Sequence, residues 1–143
     1  MSELRIEVDE FDVRRALRPR PELRAFNEAG VLAAADVHVA ARLLALAGED
    51  DPDVALAAAL AVRAPRLGHV YVDLATIRDT ATVESEDDVD LSVLDWPAVD
   101  EWVARLSGTP LVAVGEEDDR SAVPLRLVGS ALYLDRYWRE ERA

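Results

Sequence analysis

The chain has 143 residues and a formal net charge of −13 at pH 7, and it contains no cysteine. A chain of this length suits one domain with a single hydrophobic core. The absence of cysteine excludes disulfides, thiol catalysis and thiolate-bound zinc. Lysine is absent as well. This excludes Schiff-base catalysis and a conventional Walker A ATPase, whose phosphate loop needs its lysine.

The distribution of charge limits where the chain works and what it binds. Residues 54–64 form the most apolar stretch, which is too short to span a bilayer and contains Arg63. The acidic N-terminus has no apolar signal-peptide region. We therefore expect a cytoplasmic protein with no membrane contact. The negative charge disfavours direct nucleic-acid binding. It leaves three interpretations open: a solubilising surface, a face for a basic partner, or a mimic of DNA charge.

The first twenty residues differ from the rest of the chain. Leu4, Ile6 and Val8 alternate as in a strand, but the sequence RRALRPRP then interrupts the pattern. We expect residues 1–20 to form a mobile or loosely docked arm. Residues 21–143 are predicted to form a single domain.

Two helices are predicted at the start of this domain. Pro21 suits the first turn of a helix, and Gly30 suits the residue after its end. A second helix is predicted from near Ala34, with Asp36 as a candidate cap and Gly48 as its stop. Its apolar face is formed by residues at helical spacing, namely Val39, Leu43 and Leu46.

The third predicted helix is apolar on almost every side. It covers residues 53–64, with Asp51 as its cap, Pro52 in its first turn and Pro65 at its end. Because a helix without a polar face is buried on most sides, we place it at the centre of a helical bundle.

Short strands follow, mixed with helices. Strands are predicted at residues 69–74, 111–114, 125–128 and 132–135, and Gly129-Ser130 supplies the turn of a C-terminal β-hairpin. A helix with Pro97 in its first turn has an apolar face, Val99, Trp102, Val103 and Leu106. The predicted fold class is α+β, mainly a helical bundle with a small antiparallel sheet that includes the hairpin.

The sequence predicts no catalytic, cofactor-binding or metal site. His38 and His69 are interpreted as structural or surface residues. Neither G-x-S-x-G nor G-x-G-x-x-G occurs, and scattered carboxylates give no recognisable hydrolase pair. The densest acidic run does not match a calcium-binding loop. Its residues are Glu84, Glu86, Asp87, Asp88 and Asp90.

Aromatic and basic residues offer a weak nucleic-acid pattern. The three tryptophans, Trp96, Trp102 and Trp138, are a conceivable stacking platform for bases. Core packing is the preferred interpretation, above all for Trp102, and we expect Tyr133, Tyr137 and Trp138 to close the sheet onto helix 53–64. Four arginines cluster near the hairpin, Arg126, Arg136, Arg139 and Arg142. Pairing with neighbouring acids explains this cluster equally well.

Several sequence blocks together carry a family resemblance. In order they are AFNEAGVL (25–32), DVHVA (36–40), PDVALAAAL (52–60), GHVYVDL (68–74), and PLRLVG followed by LYLDRYW (124–138). This series resembles the N-terminal domain of the alpha subunit of exodeoxyribonuclease V, RecD, in its actinobacterial form. The resemblance extends over residues 21–141, and the GHVYVDL and LYLDRYW blocks in this order are its most specific part.

The resemblance implies a function that the residues alone do not reveal. The full-length subunit of this family is an ATP-dependent 5′→3′ DNA helicase of the RecBCD complex, which acts in double-strand break repair and recombination. The N-terminal domain is implied to be non-catalytic and to dock onto the gamma subunit, RecC. The motor domains follow it, whereas this chain stops after LYLDRYWREE without a Walker A loop. We therefore expect an interaction domain that needs no cofactor. The alternative is an independent acidic regulator or DNA mimic that binds a basic partner.

Overall fold

A computed structural model describes residues 21–81, 94–118 and 123–142. The predicted arm, residues 1–20, and the acidic run at residues 84–90 lie outside these ranges. The described helices are α1 (Pro21–Glu28), α2 (Ala34–Ala47), α3 (Pro52–Arg66), α4 (Ile77–Thr80), α5 (Val99–Ser107) and α6 (Asp135–Arg142). The described strands are β1 (Tyr71–Asp73), β2 (Val112–Val114), β3 (Leu125–Val128) and β4 (Ala131–Leu134). The predicted α+β class is confirmed.

Helix α3 occupies the centre of the molecule, as predicted. Residues 54–61 are all buried, and α3 packs against α1, α2, α5, β1 and β4. The Asp51 carboxylate caps the helix by accepting a hydrogen bond from the Asp53 N–H at 2.8 Å. The predicted end at Ala64 is wrong by two residues, since α3 continues through Pro65 to Arg66. Proline lacks the N–H donor and crowds the preceding turn, and the helix ends one residue after it.

The sheet is mixed, with strand order β1-β4-β3-β2. The hairpin of β3 and β4 is antiparallel as predicted, and β1 also pairs antiparallel with β4. The prediction of a wholly antiparallel sheet is wrong, because β2 and β3 are parallel. Two strands that are consecutive in sequence therefore run in the same direction. A tight hairpin would instead have reversed the chain.

The two faces of the sheet have different neighbours. Leu125, Leu127 and Leu132 join the core that surrounds α3. Successive side chains of a strand point to opposite faces, so Arg126 and its cross-strand neighbour Tyr133 lie on the outer face.

Helix α6 meets this outer face. The Trp138 ring lies 4.1 Å from the Arg126 guanidinium carbon, and Tyr133 contacts Tyr71 with ring centroids 5.0 Å apart. The expectation that Tyr133 and Trp138 pack onto helix 53–64 is therefore wrong. Both aromatic side chains lie on the side of the sheet that faces away from α3.

Helix α2 carries two apolar stripes, and the core uses the one that the sequence pattern did not select. Its buried apolar residues are Ala34, Val37, Ala40 and Leu44. The predicted face instead points outward, because Val39 and Leu46 are exposed and Leu43 is only half-buried. Both stripes have helical spacing, so packing against α3 decides which one is covered.

The start of α2 is fixed by Asp36. Its carboxylate accepts a hydrogen bond from the Ala33 N–H at 2.9 Å, as expected for a cap, and it forms a 2.8 Å ion pair with Arg66 of α3. Together with apolar packing, this contact helps to fix the position of α2 against α3. Among the residues that the structure describes, no helix combines the length and apolarity needed to cross a bilayer.

Candidate functional site

An apolar groove runs beside α2 on the surface of the domain. It consists of two adjoining cavities of about 460 and 330 Å³, which share Leu43 and Pro124 as lining residues. We call it the α2 groove and define it by Val39, Leu43, Leu46, Val123, Pro124 and Leu134. It lies between the outward stripe of α2, the entry to β3 and the end of β4.

The residues of the α2 groove are unusually accessible for their type. Leu46 is 76% exposed and Val39 is 44% exposed. Both are on the same side of one helix as the half-buried Leu43, so they form a continuous stripe. Contiguous exposed apolar surface on a soluble protein commonly marks an interaction site. The α2 groove is therefore the strongest candidate for a binding surface among the described residues.

Arginines lie beside the larger cavity of the α2 groove, although the chain is strongly acidic as a whole. Arg136 and Arg139 line its larger cavity, and the exposed Arg42 precedes Leu43 on α2. A hydrogen bond to the Tyr137 hydroxyl, 3.1 Å long, raises the pKa of Arg136 further above its usual value. The border of the larger cavity is thus locally cationic, whereas no described charged residue lines the smaller one.

A buried ion pair supports the wall of the groove. Arg126 donates to the Asp135 carboxylate at 2.7 Å and to the Gly115 carbonyl at 2.7 Å. Asp135 also accepts from Arg139 at 2.6 Å. Because Asp135 lies between two guanidinium groups, its negative charge is compensated where it borders the groove. Arg126 and Arg139 are therefore both paired with an acidic residue. This agrees with the interpretation that the arginines near the hairpin pair with neighbouring acids and do not bind nucleic acid.

A second, more polar cleft of about 420 Å³ lies beside β1. Its polar lining residues support the fold. Arg63 donates to the Val31 carbonyl at 2.7 Å, and the Asp73 carboxylate accepts from the Ser130 hydroxyl at 2.8 Å. His69 is exposed, and its backbone N–H donates to the Ala64 carbonyl at 2.9 Å.

The other residues singled out by sequence occupy separate places. His38 is exposed on α2, and the exposed His69 precedes β1. Within residues 21–81, 94–118 and 123–142, no group of three or more His, Cys, Asp or Glu side chains converges as a metal site. The acidic residues 84–90 lie outside these ranges, so the expectation that they bind no metal stays a prediction.

The three tryptophans make three different contacts. Trp102 is 1% exposed, and its indole N–H donates to the Asp53 carbonyl at 2.7 Å, which confirms core packing. Trp96 packs edge-on against Phe26 with ring centroids 4.8 Å apart, and Trp138 lies over Arg126. Arg126 thus covers one of the two ring faces on which a base could stack at Trp138. The described contacts therefore support packing.

Charged residues also meet at the start of α3. Arg105 of α5 contacts Asp51 at 2.8 Å and Asp53 at 3.2 Å. Burial raises the pKa of Asp51, but hydrogen bonds from Arg105 and from the Asp53 N–H outweigh it, and the net pKa is lowered. Burial and the nearby Asp51 charge raise the pKa of Asp53. This cluster joins α5 to α3 and has a structural role.

The comparison with known proteins gives one consistent family. The family described as "RecBCD enzyme subunit RecD, N-terminal domain" matches residues 28–133. The chain is 48% identical over 134 residues to "RecBCD enzyme subunit RecD" of Mycobacterium tuberculosis (strain ATCC 25618 / H37Rv), covering 91% of this chain and 20% of that protein. It is 47% identical over 120 residues to the protein of the same name from Mycolicibacterium smegmatis, covering 84% of this chain and 19% of that protein. The chain thus spans about a fifth of the length of these relatives, and the resemblance seen in the sequence is confirmed.

Proposed function

The chain belongs to the family of RecD N-terminal domains, and from this membership we propose that it is a non-catalytic docking domain. In this proposal it attaches a RecD-type subunit to another subunit of the RecBCD complex, the gamma subunit RecC. Its biological role would be double-strand break repair and recombination, carried out in the cytoplasm. ATP hydrolysis and 5′→3′ unwinding would belong to other parts of a RecD-type subunit, because this chain has no lysine for a phosphate loop.

The observation that supports docking is the exposed apolar surface of the α2 groove. Leu46 and Val39 are among the few large apolar side chains left exposed in the described residues, and they adjoin cavities suited to side chains of a partner. Burial of apolar surface is the main favourable contribution to most protein–protein association. A surface of this kind on an acidic domain suits a permanent place in a larger complex.

Titration with the cognate gamma subunit tests the proposal. The chain is labelled at its N-terminus and titrated with purified RecC, and binding is followed by fluorescence anisotropy. We expect saturable one-to-one binding at micromolar or lower concentration. An unrelated acidic domain of similar size and charge serves as control. If RecC fails to bind the labelled chain while the chain is folded by circular dichroism, the docking function is refuted.

The alternative function is that of an acidic regulator, supported by the net charge of −13. A DNA mimic would bind a basic, DNA-binding protein through many ion pairs, and its affinity would fall steeply with salt. Competition with duplex DNA distinguishes the two functions. A mimic is displaced by DNA from its partner, whereas a docking domain stays bound to RecC in the presence of DNA.

A further inference from the structure

We propose that the α2 groove binds an acidic amphipathic segment of the partner subunit, one that presents two apolar side chains flanked by Asp or Glu. This inference rests on the proposed docking function and specifies the surface and the chemistry of its occupant. It follows from three properties of the groove: its two cavities, its apolar lining and its cationic border.

The cavities indicate two apolar anchors. They adjoin at Leu43 and Pro124, so an occupant can fill both without leaving the surface. Val39 and Leu46 are seven residues apart on α2, about 10 Å along the helix axis. Two side chains of an occupying helix that lie two turns apart, about 11 Å, match this spacing.

The border of the groove selects the charge of the occupant. Arg136 lines the larger cavity, and Arg42 lies beside Leu43 on the exposed face of α2. Neither side chain forms an ion pair with a described carboxylate, although the nearby Glu140 charge helps to raise the pKa of Arg136. Arg66, Arg105, Arg126 and Arg139 all form such pairs. Aspartate or glutamate next to the apolar anchors would supply these partners.

The net charge of the chain does not oppose this choice. At physiological ionic strength the screening length is about 8 Å, so distant carboxylates act weakly on a charge that binds at the groove. Arg42 and Arg136 adjoin the groove, and the Asp135 carboxylate beside them is already compensated by Arg126 and Arg139. The local cationic field therefore determines which flanking charges are favoured.

Paired substitutions test the surface. Leu46→Glu places a charge in the apolar stripe, and Ala45→Glu places the same charge at an exposed neighbouring position that lines neither cavity. We expect Leu46→Glu to weaken RecC binding at least tenfold and Ala45→Glu to leave it within twofold. If wild type binds RecC and both variants bind equally well, the groove assignment is wrong while the docking function stands.

Charge reversal tests the chemistry of the occupant. Arg42→Glu and Arg136→Glu are compared with Arg24→Glu, an exposed arginine of α1 outside the groove. An acidic occupant predicts that the first two variants weaken RecC binding about tenfold at low salt and reduce its salt dependence, with Arg24→Glu unchanged. Unchanged or tighter binding of Arg42→Glu and Arg136→Glu would show that the occupant is neutral or basic.

A single thiol identifies what covers the groove. Because the chain has no cysteine, Leu46→Cys and Ala45→Cys each carry one thiol, whose reaction with a maleimide can be timed. We expect RecC to slow the reaction of Leu46→Cys at least tenfold and that of Ala45→Cys less than twofold.

The free Leu46→Cys chain tests the other occupants. Its maleimide reaction should be independent of chain concentration and unchanged when residues 2–20 are deleted. Concentration-dependent protection would assign the groove to a second copy, and faster reaction after the deletion would assign it to the N-terminal segment. Either result would overturn the proposed occupant of the groove. The docking function would still be judged by the separate titration with RecC.

Discussion

The outer face of the sheet and the α2 groove reverse the usual distribution of polarity. On the sheet, the charged Arg126 is 1% exposed, covered by Trp138 and paired with Asp135. In the groove, the apolar Leu46 is 76% exposed. The two regions adjoin, since Asp135 contributes to both.

The difference separates a region built for stability from one available for binding. Buried charges are tolerated only when hydrogen bonds and ion pairs satisfy them, and Arg126 has partners in Asp135 and Gly115. Exposed leucine adds nothing to the stability of the isolated chain. Substitutions in the sheet face should therefore lower the free energy of unfolding, whereas those in the groove should mainly affect binding.

The largest loss of stability is expected for Asp135→Ala. The change leaves the Arg126 guanidinium buried without its carboxylate, and breaking such a pair costs about 3–5 kcal/mol. Urea unfolding measures the loss. The double variant Asp135→Ala with Arg126→Met should recover part of it, because the buried charge is then removed. A single variant as stable as wild type would show that the pair is solvated.

Trp138→Ala should have an intermediate effect, about 2 kcal/mol. The indole is half-buried, so its removal should cost less than the roughly 3–5 kcal/mol of a fully buried tryptophan, but the desolvated contact with Arg126 is lost. Trp138→Phe keeps an aromatic face and is the matched control. In the Arg126→Met background the effect of Trp138→Ala should shrink, and an unchanged effect would argue against the stacking contact.

The more exposed ion pair of Asp51 with Arg105 should contribute less than the buried pair. Asp51→Ala removes both the cap of α3 and the ion pair, for a loss of about 1 kcal/mol. Asp51→Asn keeps a capping oxygen and loses only the ion pair, which in an exposed setting contributes about 0.5 kcal/mol or less. Urea unfolding of the two variants separates the two contributions.

The same pair predicts a pH dependence. The pKa of Asp51 is lowered from its ordinary 3.8, so its contribution is complete above that pH and is lost as the pH falls through the lower, folded-state value. The raised pKa of Asp53 acts in the opposite sense. Asp51→Asn should therefore lose less stability than wild type when unfolding is measured below pH 4. Identical acid profiles would contradict this role.

The smallest effect on stability is expected in the groove. Leu46→Glu and Ala45→Glu should each change the free energy of unfolding by no more than about 0.5 kcal/mol, as is usual for exposed positions. Thermal melting compares them with wild type. A large loss in Leu46→Glu alone would show that this side chain supports the fold and would remove the contrast with the sheet face.

Much of the fold could be predicted because its signals are local. The nearly all-apolar segment 53–64 indicates a central helix, Asp51 indicates its cap, and Gly129-Ser130 indicates the hairpin turn. Each of these features follows from backbone preference or from apolar pattern along a few residues. The exclusion of disulfides, thiol catalysis, Schiff-base catalysis and a Walker A loop also follows directly from composition, since the chain contains no cysteine and no lysine.

The candidate site could not be predicted in the same way. The sequence shows two apolar stripes on α2 that are equally good. One consists of Val37, Ala40 and Leu44, and the other of Val39, Leu43 and Leu46. The choice between them depends on how α2 docks on α3, which the contact of Asp36 with Arg66 helps to fix. Sequence pattern detects apolar faces, but it does not tell which face a neighbouring element covers.

The sequence by itself determined the α+β class, the central helix α3, the hairpin and the family. These depend on local periodicity and on an ordered set of motifs. Tertiary structure alone decided that β2 runs parallel to β3, that Trp138 covers Arg126 and that Leu46 faces outward. Each of these features depends on contacts between residues or elements that are distant in sequence, which the pattern along the chain does not encode. The cover of Trp138 over Arg126 defines the region proposed to support stability, and the outward Leu46 defines the region proposed to bind a partner.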